Sequence, residues 1–503
     1  VADQYGRKSV VSEAYGCTGW EFDFEGQKWL GDWQFVMGVT RRCQHMMLYS
    51  IAGCRKRDYP PVFNYQSPWW QYNGLIEDYF ARLAACTTTG KSIRDILVLH
   101  PISSLWTKCA CAPDEDLGRV DMNTGWSDPH ITALNVEGDQ YNRLAELLMR
   151  AHRDFDFGDE TILAEQGRVS GSALTVGEAE YHTIIVPRVC SLFRSTLELL
   201  EEYRKQGGQL IWVGELPEMI EGRPDRGAQT LWETYGFDRV ERDEDLAGEL
   251  NRLCPRALSV KDLLGNEATD ILTMLRKAGE DEILFAVNHD RKEEHWVKFA
   301  LPASYQVTAY DPWTGESRPV PVERTEEGIT FADTLPPAYS KVYFLRAGQA
   351  EESVPCTHPY AHPHRSEPLF GVLGPVAPFT RTAPNALVLD KCAYSLNGAP
   401  FSEETDLWRA QKEIRAALGM QQIYYNGAPM RYLWTEAERK KPGTPFELKL
   451  TFTVRDVPQG MCSLAMEKPG ELEVLCNGQS CQMDGGWYVD KAIRTIPLPP
   501  LVQ

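Results

Sequence analysis

A carboxylate, Glu13, closes the short run that begins with the apolar stretch Ser9 to Val11, and an aromatic stretch from Trp20 to Trp33 follows it. A second strand-like run ends near His45. An acid at a strand end beside indole and imidazole groups suits chemistry on a sugar ring. Aromatic faces stack on pyranose faces, and a carboxylate can act at an anomeric carbon. A Glu in an apolar strand is costly to bury unless paired, so the competing reading of Glu13 is an ion pair to Arg41 or Arg42. His45 is read either as a substrate hydrogen bond or as a core histidine. Asp32 could hold a sugar hydroxyl or a cation, or simply charge a helix start. Trp20, Trp29, Trp33, Trp69 and Trp70 are dense enough for part of them to line a sugar subsite, the rest serving as core.

Residues 1–92 read as two strand–helix repeats, the size of the last quarter of a (β/α)₈ barrel. Gln27 to Met37 predicts a helix stopped by Gly38, and Arg42 to Tyr49 a buried strand. The loop Ile51 to Tyr72 is long enough to be a binding loop. Asn73 is expected to cap a helix whose Leu75, Ile76, Tyr79, Phe80, Leu83 and Ala84 share one face.

Over 93–262, continuous apolar runs such as Asp95 to Leu99, His182 to Pro187 and Gln209 to Val213 alternate with helical patterns. These predict a flavodoxin-like, doubly wound parallel sheet. No phosphate-binding glycine motif follows its first strand, whose successor is His100 to Ser104, so a scaffold is expected there rather than a nucleotide site. Ser191 is expected to cap a helix, and Asp159 and Glu160 to form a solvated turn, with Glu178 and Glu180 also exposed. Short strands between turn signals over 263–349 predict a small antiparallel β-sandwich. Residues 350–382 look like a Pro- and His-rich linker. Residues 383–503 carry sheet-like runs, including Glu471 to Cys476 before the hairpin signal Asn477-Gly478, and read as a jelly-roll domain cut short. There, Trp487, Tyr488 and Asp490 are assigned to packing. The fold class is thus multidomain α/β plus all-β.

The net charge of −19 argues against a nucleic-acid partner, and no apolar run is long enough to suggest a membrane span. Thirteen scattered cysteines are an odd number without zinc-like spacing. Cys109 and Cys111 stand alone as a C-x-C, so no metal ligands are assigned. Reduced thiols favour a cytoplasmic protein. The chain opens on Val1, and upstream barrel strands and any targeting segment are expected to be missing.

The blocks Ser12-Glu13-Ala14, Gly31-Asp32-Trp33-Gln34-Phe35 and Gly38-Val39-Thr40-Arg41-Arg42-Cys43-Gln44-His45 resemble the catalytic-barrel end of family 106 α-L-rhamnosidase-like glycoside hydrolases. The downstream order of domains, with a turn of Asp311-Pro312-Trp313-Thr314-Gly315 type, resembles theirs too. Thr40 stands where that family usually has Asn, and Tyr49 near the place of a second His. The resemblance implies an exo-acting, inverting glycosidase with an oligosaccharide or glycoside as substrate. Glu13 would end the seventh barrel strand as one member of a catalytic pair, and His45 would lie on the eighth. Trp20, Asp32, Arg41, His45 and Tyr49 would contact substrate, with a calcium ion sometimes near the sugar. The 503-residue chain by itself is expected to be inactive. The alternatives are a β-galactosidase-type glycosidase, whose barrel is likewise followed by a flavodoxin-like domain, and a non-catalytic carbohydrate-binding or scaffold protein. The oligomeric state is not readable from the sequence.

Overall fold

The computed structural model describes residues 1–56, 62–111, 132–348, 376, 378, 380–381, 383–420 and 443–501. The chain forms two compact units that do not follow its linear order. The first comprises Val1–Ala14, Glu21–Gln44 and Tyr72–Ala361. The second comprises Tyr15–Trp20, His45–Gln71 and His362–Gln503.

The first unit opens with strand, helix, strand, helix: Val11–Ala14, Phe24–Val36, Arg41–Gln44 and Asn73–Thr87. The two strands pair in parallel, Val11 opposite Arg41 and Ala14 opposite Gln44. No closed barrel is present among the described residues. The first helix starts three residues earlier than its apolar pattern suggests, because Asp23 caps it and accepts from Gly26 N at 2.8 Å. Asn73 does not cap the second helix. It is the first helical residue, and its amide donates to Glu77 at 3.3 Å. Leu75 is exposed, while Ile76, Tyr79, Phe80 and Leu83 form the buried stripe. The strand expected over Arg42 to Tyr49 stops at Gln44, where its pairing partner runs out.

A five-stranded parallel sheet follows, in spatial order Asp238–Val240, Gln209–Val213, Thr183–Val186, Ile96–His100 and Phe155–Asp159. Numbered along the chain, that order is 2-1-3-4-5 read from the other edge. Leu97, Leu99, Ile184, Val186, Leu210 and Trp212 pack on one face. Ile96, Val98, Ile185, Ile211 and Val213 pack on the other. Burial on both faces is why these strands read as continuous apolar runs. Two local expectations fail here. Ser191 is buried in a short strand, Ser191–Leu192, and the next helix starts at Arg194 with Phe193 at its cap. Glu160 is not solvated: it is buried and accepts from Ser103 N at 3.2 Å and Phe193 N at 2.8 Å. That contact uses an N-terminal amide of helix Ile102–Cys111 internally. Glu178 and Glu180 are exposed as expected.

Two antiparallel sheets then face each other. One has six strands, in order 317–320, 305–310, 340–347, 281–288, 271–278 and 91–92, and the other has four, in order 259–261, 295–301, 328–335 and 323–325. Leu284, Ala286, Phe299, Phe331, Tyr343 and Leu345 fill the space between them. The alternate residues Leu272, Met274, Ile283, Phe285, Val287 and Val342 point the other way, against Phe35, Val36, Ile76, Tyr79, Phe80 and Leu83 of the first two helices. A strand period of two thus gives this sheet two buried faces and fastens the opening strand–helix pair to it.

The edge strand Lys91–Ser92 was not legible in the sequence, being only two residues long. Arg276 holds it, donating to Thr89 O, Gly90 O and Ser92 Oγ, each at 2.8 Å. Gly90 has φ +69°, and a Cβ there would lie 2.0 Å from Lys277 O. Gly90→Ala is therefore expected to cost about 2–4 kcal/mol in denaturant unfolding. A loss under about 0.5 kcal/mol would show that this edge is not held closed.

In the second unit, Lys391–Leu396 lies between Thr405–Asp406 and Phe446–Lys449, and Asp490–Pro497 lies between Ser463–Glu467 and Trp487–Tyr488. The predicted hairpin forms, with Val474–Cys476 paired to Gln479–Cys481 around Asn477 and Gly478 at positive φ. Helix Leu407–Ala417 and a 3-10 turn at Pro469–Glu471 lie in the same region. Three small sheets, rather than the two facing sheets of a jelly roll, are what the described residues show. The predicted linker at 350–382 lies outside the described residues except at 376, 378 and 380–381.

Candidate functional site

The parallel ladder of the first unit sets the geometry around Glu13. Glu13 pairs with Cys43 in register, one residue before the strand ends. Side chains alternate along a strand, so Val11, Glu13, Arg41 and Cys43 share one face and all four are exposed. Ser12, Ala14, Arg42 and Gln44 share the other, which is more buried. From the helix behind, Glu77 braces that second face, accepting from Arg42 at 3.0 Å and Gln44 at 2.7 Å. The Arg42 guanidinium also lies 3.8 Å from the centre of the Phe80 ring. Glu13 is therefore displayed on an open face near the C-terminal end of parallel strands, where such sheets collect reactive groups.

Arg41 shares this face but lies two residues earlier, about 6.6 Å back along the strand. It lines a depression of about 420 Å³ at the N-terminal end of the ladder, with Lys8, Ser9, Thr40, Ala84 and Thr88. Arg41 thus shares a strand face with Glu13.

Asp32 departs from its expected role. It has no exposed surface, and Lys28 Nζ donates to its Oδ2 at 2.6 Å. Tyr79 OH bonds its other oxygen. Lys28 also donates to Ala338 O at 3.2 Å and Ser340 Oγ at 3.1 Å. Burial first, and then the neighbouring Asp32 charge, push the Tyr79 hydroxyl well above its ordinary pKa. A carboxylate engaged on both oxygens inside a packed joint does not contact a sugar. The sequence signal for this was the i,i+4 spacing of Lys28 and Asp32. Trp29 is likewise structural: it stacks on His289 with centroids 4.7 Å apart and donates to His289 O at 2.8 Å. Trp33 packs against the core between the helices and the sheet.

Trp20, His45 and Tyr49 belong to the second unit. His45 lies just past the strand rather than on it, and is half-buried. The backbone beyond it follows other partners, with Met46 O accepting from Phe63 N at 3.1 Å. Tyr49 is 95% exposed and Trp20 38% exposed. Neither is part of a packed core. Trp69 packs on Phe63 and Trp70, with centroids 5.7 and 6.4 Å away.

The organiser of this unit is Asp490, which the sequence reading set aside as packing. It is 1% exposed and accepts from Ser50 Oγ at 3.0 Å, Ile51 N at 3.1 Å, Tyr65 OH at 3.3 Å, Gln66 Nε2 at 3.0 Å and Ala492 N at 2.8 Å. Burial opposes its ionisation, but the bonds from Gln66, Ala492, Ile51 and Ser50 outweigh that and hold the carboxyl at about 2. The segment expected to bind substrate is thereby pinned at Ser50 and Ile51 and again at Tyr65 and Gln66.

The calcium ion implied by resemblance finds no cradle in these residues. Calcium takes six to eight oxygen ligands. Asp32 is fully engaged, and the ladder neighbours of Glu13 offer a thiol, guanidinium groups, one hydroxyl and the Gln44 carboxamide, whose amide is already bonded to Glu77.

No family model matches the chain, and no curated protein matches it. Among solved structures it is similar to a rhamnosidase from Novosphingobium sp. PP1Y, with a TM-score of 0.52 and 16% identity. That match covers 80% of this chain and 36% of the rhamnosidase, so the chain spans just over a third of that protein. Gan42B, a GH42 beta-galactosidase from G. stearothermophilus, is matched at TM-score 0.44 and 12% identity, over 64% of this chain and 51% of that one. An alpha-L-fucosidase isoenzyme 2 from Paenibacillus thiaminolyticus is matched at 0.37 and 10%, over 65% and 58%. The first match establishes a shared mixed α/β, many-sheeted fold. No helix among the described residues is long and apolar enough to cross a membrane.

Proposed function

We propose that this chain is part of a glycoside hydrolase, α-L-rhamnosidase-like and inverting, in which residues 1–92 are the C-terminal end of a (β/α)₈ catalytic barrel. The observation that supports it most is Glu13, exposed near the C-terminal end of a parallel strand in a fold similar to part of a rhamnosidase. In that reading Glu13 is one carboxyl group of the catalytic pair, and the second comes from another strand. As general base it would draw a proton from water attacking the anomeric carbon; as general acid it would protonate the leaving oxygen. Trp20, His45 and Tyr49 are proposed as substrate contacts, exposed rings offering a stacking face or a hydrogen bond to a sugar. Asp32 is not among them.

The test uses the full-length protein of the gene, assayed against aryl α-L-rhamnosides, β-galactosides and α-L-fucosides. Rhamnoside turnover that falls at least about a hundredfold in Glu13→Gln, with unfolding unchanged, is the expected result. Turnover of galactosides alone would move the substrate class. Full activity in Glu13→Gln would remove Glu13 from the chemistry.

A further inference from the structure

One group of side chains plays no part in that reading. Asp270 immediately precedes strand Ile271–Ala278, Asp290 follows strand Asp281–Asn288, and His295 opens strand His295–Leu301. The first two strands pair with Ile271 opposite Asn288, which brings their ends together. One ligating atom from each of the three residues lies within 4.8 Å of the others.

The geometry points to a divalent metal. His295 Nε2 is shielded from solvent and has no hydrogen-bond partner among the described residues. It stands 3.5 Å from Asp290 Oδ2, long for a hydrogen bond. Two ligands each about 2.1 Å from one ion lie ~3.0–3.5 Å apart. Asp290 is held ready: its Oδ1 accepts from Lys292 N at 2.8 Å and Glu293 N at 3.2 Å, and its own carbonyl accepts from Ala338 N at 2.8 Å. That leaves Oδ2 turned to the imidazole, the outer-shell support that metal ligands need. Asp270 is fixed by its backbone, whose carbonyl accepts from His289 N at 2.9 Å. Its carboxylate has a rival in Arg150, 3.5 Å away and half exposed, which must release it.

We propose that Asp270, Asp290 and His295 form a binding site for a divalent transition-metal ion, with water completing its coordination and the ion tying three strand ends together. Mixed imidazole and carboxylate donors suit Mn²⁺, Fe²⁺ or Co²⁺ better than Ca²⁺, which prefers oxygen alone. The proposal does not depend on glycosidase activity.

The test takes the 503-residue chain, stripped with chelator, and titrates it with Mn²⁺ while following the electron-spin resonance of the free ion. Mn²⁺ is the probe because thirteen cysteines would compete for zinc. One site tighter than about 100 μM is expected, at least tenfold weaker in Asp270→Asn and in His295→Gln, and tighter in Arg150→Gln. The Asp270 side chain is half exposed, so its variant reads out binding without disturbing the core. No binding below about 1 mM in the parent chain, or equal binding in Asp270→Asn and His295→Gln, would overturn the site.

Discussion

Lys28→Met is expected to destabilise the first unit by about 3–5 kcal/mol, because it strands the Asp32 carboxylate in a buried joint without its cation. Few single changes in this chain should do more. The Lys28 ammonium touches Asp32, Ser340 Oγ and the Ala338 carbonyl, and it also lies 4.9 Å from the Tyr79 ring and 4.8 Å from the Tyr339 ring. Methionine keeps most of the volume and none of these bonds. The double variant Lys28→Met/Asp32→Leu should recover most of the loss, since exchanging a whole buried pair for apolar groups is close to neutral. Denaturant unfolding of the two variants reads this directly. A cost below about 1 kcal/mol for Lys28→Met would mean that the joint is wetter than its burial indicates.

The same residues show where sequence reasoning reaches its edge. Asp32 sits in a resemblance block and beside tryptophans, which invites a role at a sugar. Its spacing to Lys28 was visible, but the aromatic hydroxyl of Tyr79 and the strand end at Ala338 to Ser340 were not. Burial by distant elements turned a plausible ligand into a joint. Glu160 repeats the lesson: two adjacent acids look like a surface turn until Ser103 and Phe193, each remote in sequence, close over one of them.

What was legible had local causes. The parallel strands Ile96–His100, Thr183–Val186 and Gln209–Val213 announce themselves because burial on two faces demands unbroken apolar residues. The helix Asn73–Thr87 shows its stripe of Ile76, Tyr79, Phe80 and Leu83, and the turn at Asn477-Gly478 supplies the positive φ that its hairpin needs. Of the candidate site, Glu13 could be placed at a strand end because a short apolar run pointed to it. The position of His45 beyond the strand could not be read, since the chain there leaves one compact unit for the other. Nothing local encodes that departure.

Acid should release residues 50–51 and 65–66 from Asp490 before it unfolds the parallel sheet, and Asp490→Asn should release them at neutral pH. An Asp at about 2 in the folded chain, against an ordinary 3.8, favours folding when ionised. That contribution, on the order of 2 kcal/mol, is fully present above the unfolded value and fades as pH drops from 3.8 towards 2. Asparagine at 490 costs more, about 3 kcal/mol or above, because its NH₂ group replaces one of the two accepting oxygens; in the place of Oδ2 it faces Ile51 N and the Gln66 amide, donors that need an acceptor. Those donors come from the chain's own neighbour Ala492 and from residues 424 to 440 positions earlier. Hydrogen exchange resolves the claim: the Ile51 amide should lose protection in Asp490→Asn while amides of Gln209–Val213 keep theirs. Equal protection of Ile51 in both proteins would refute it.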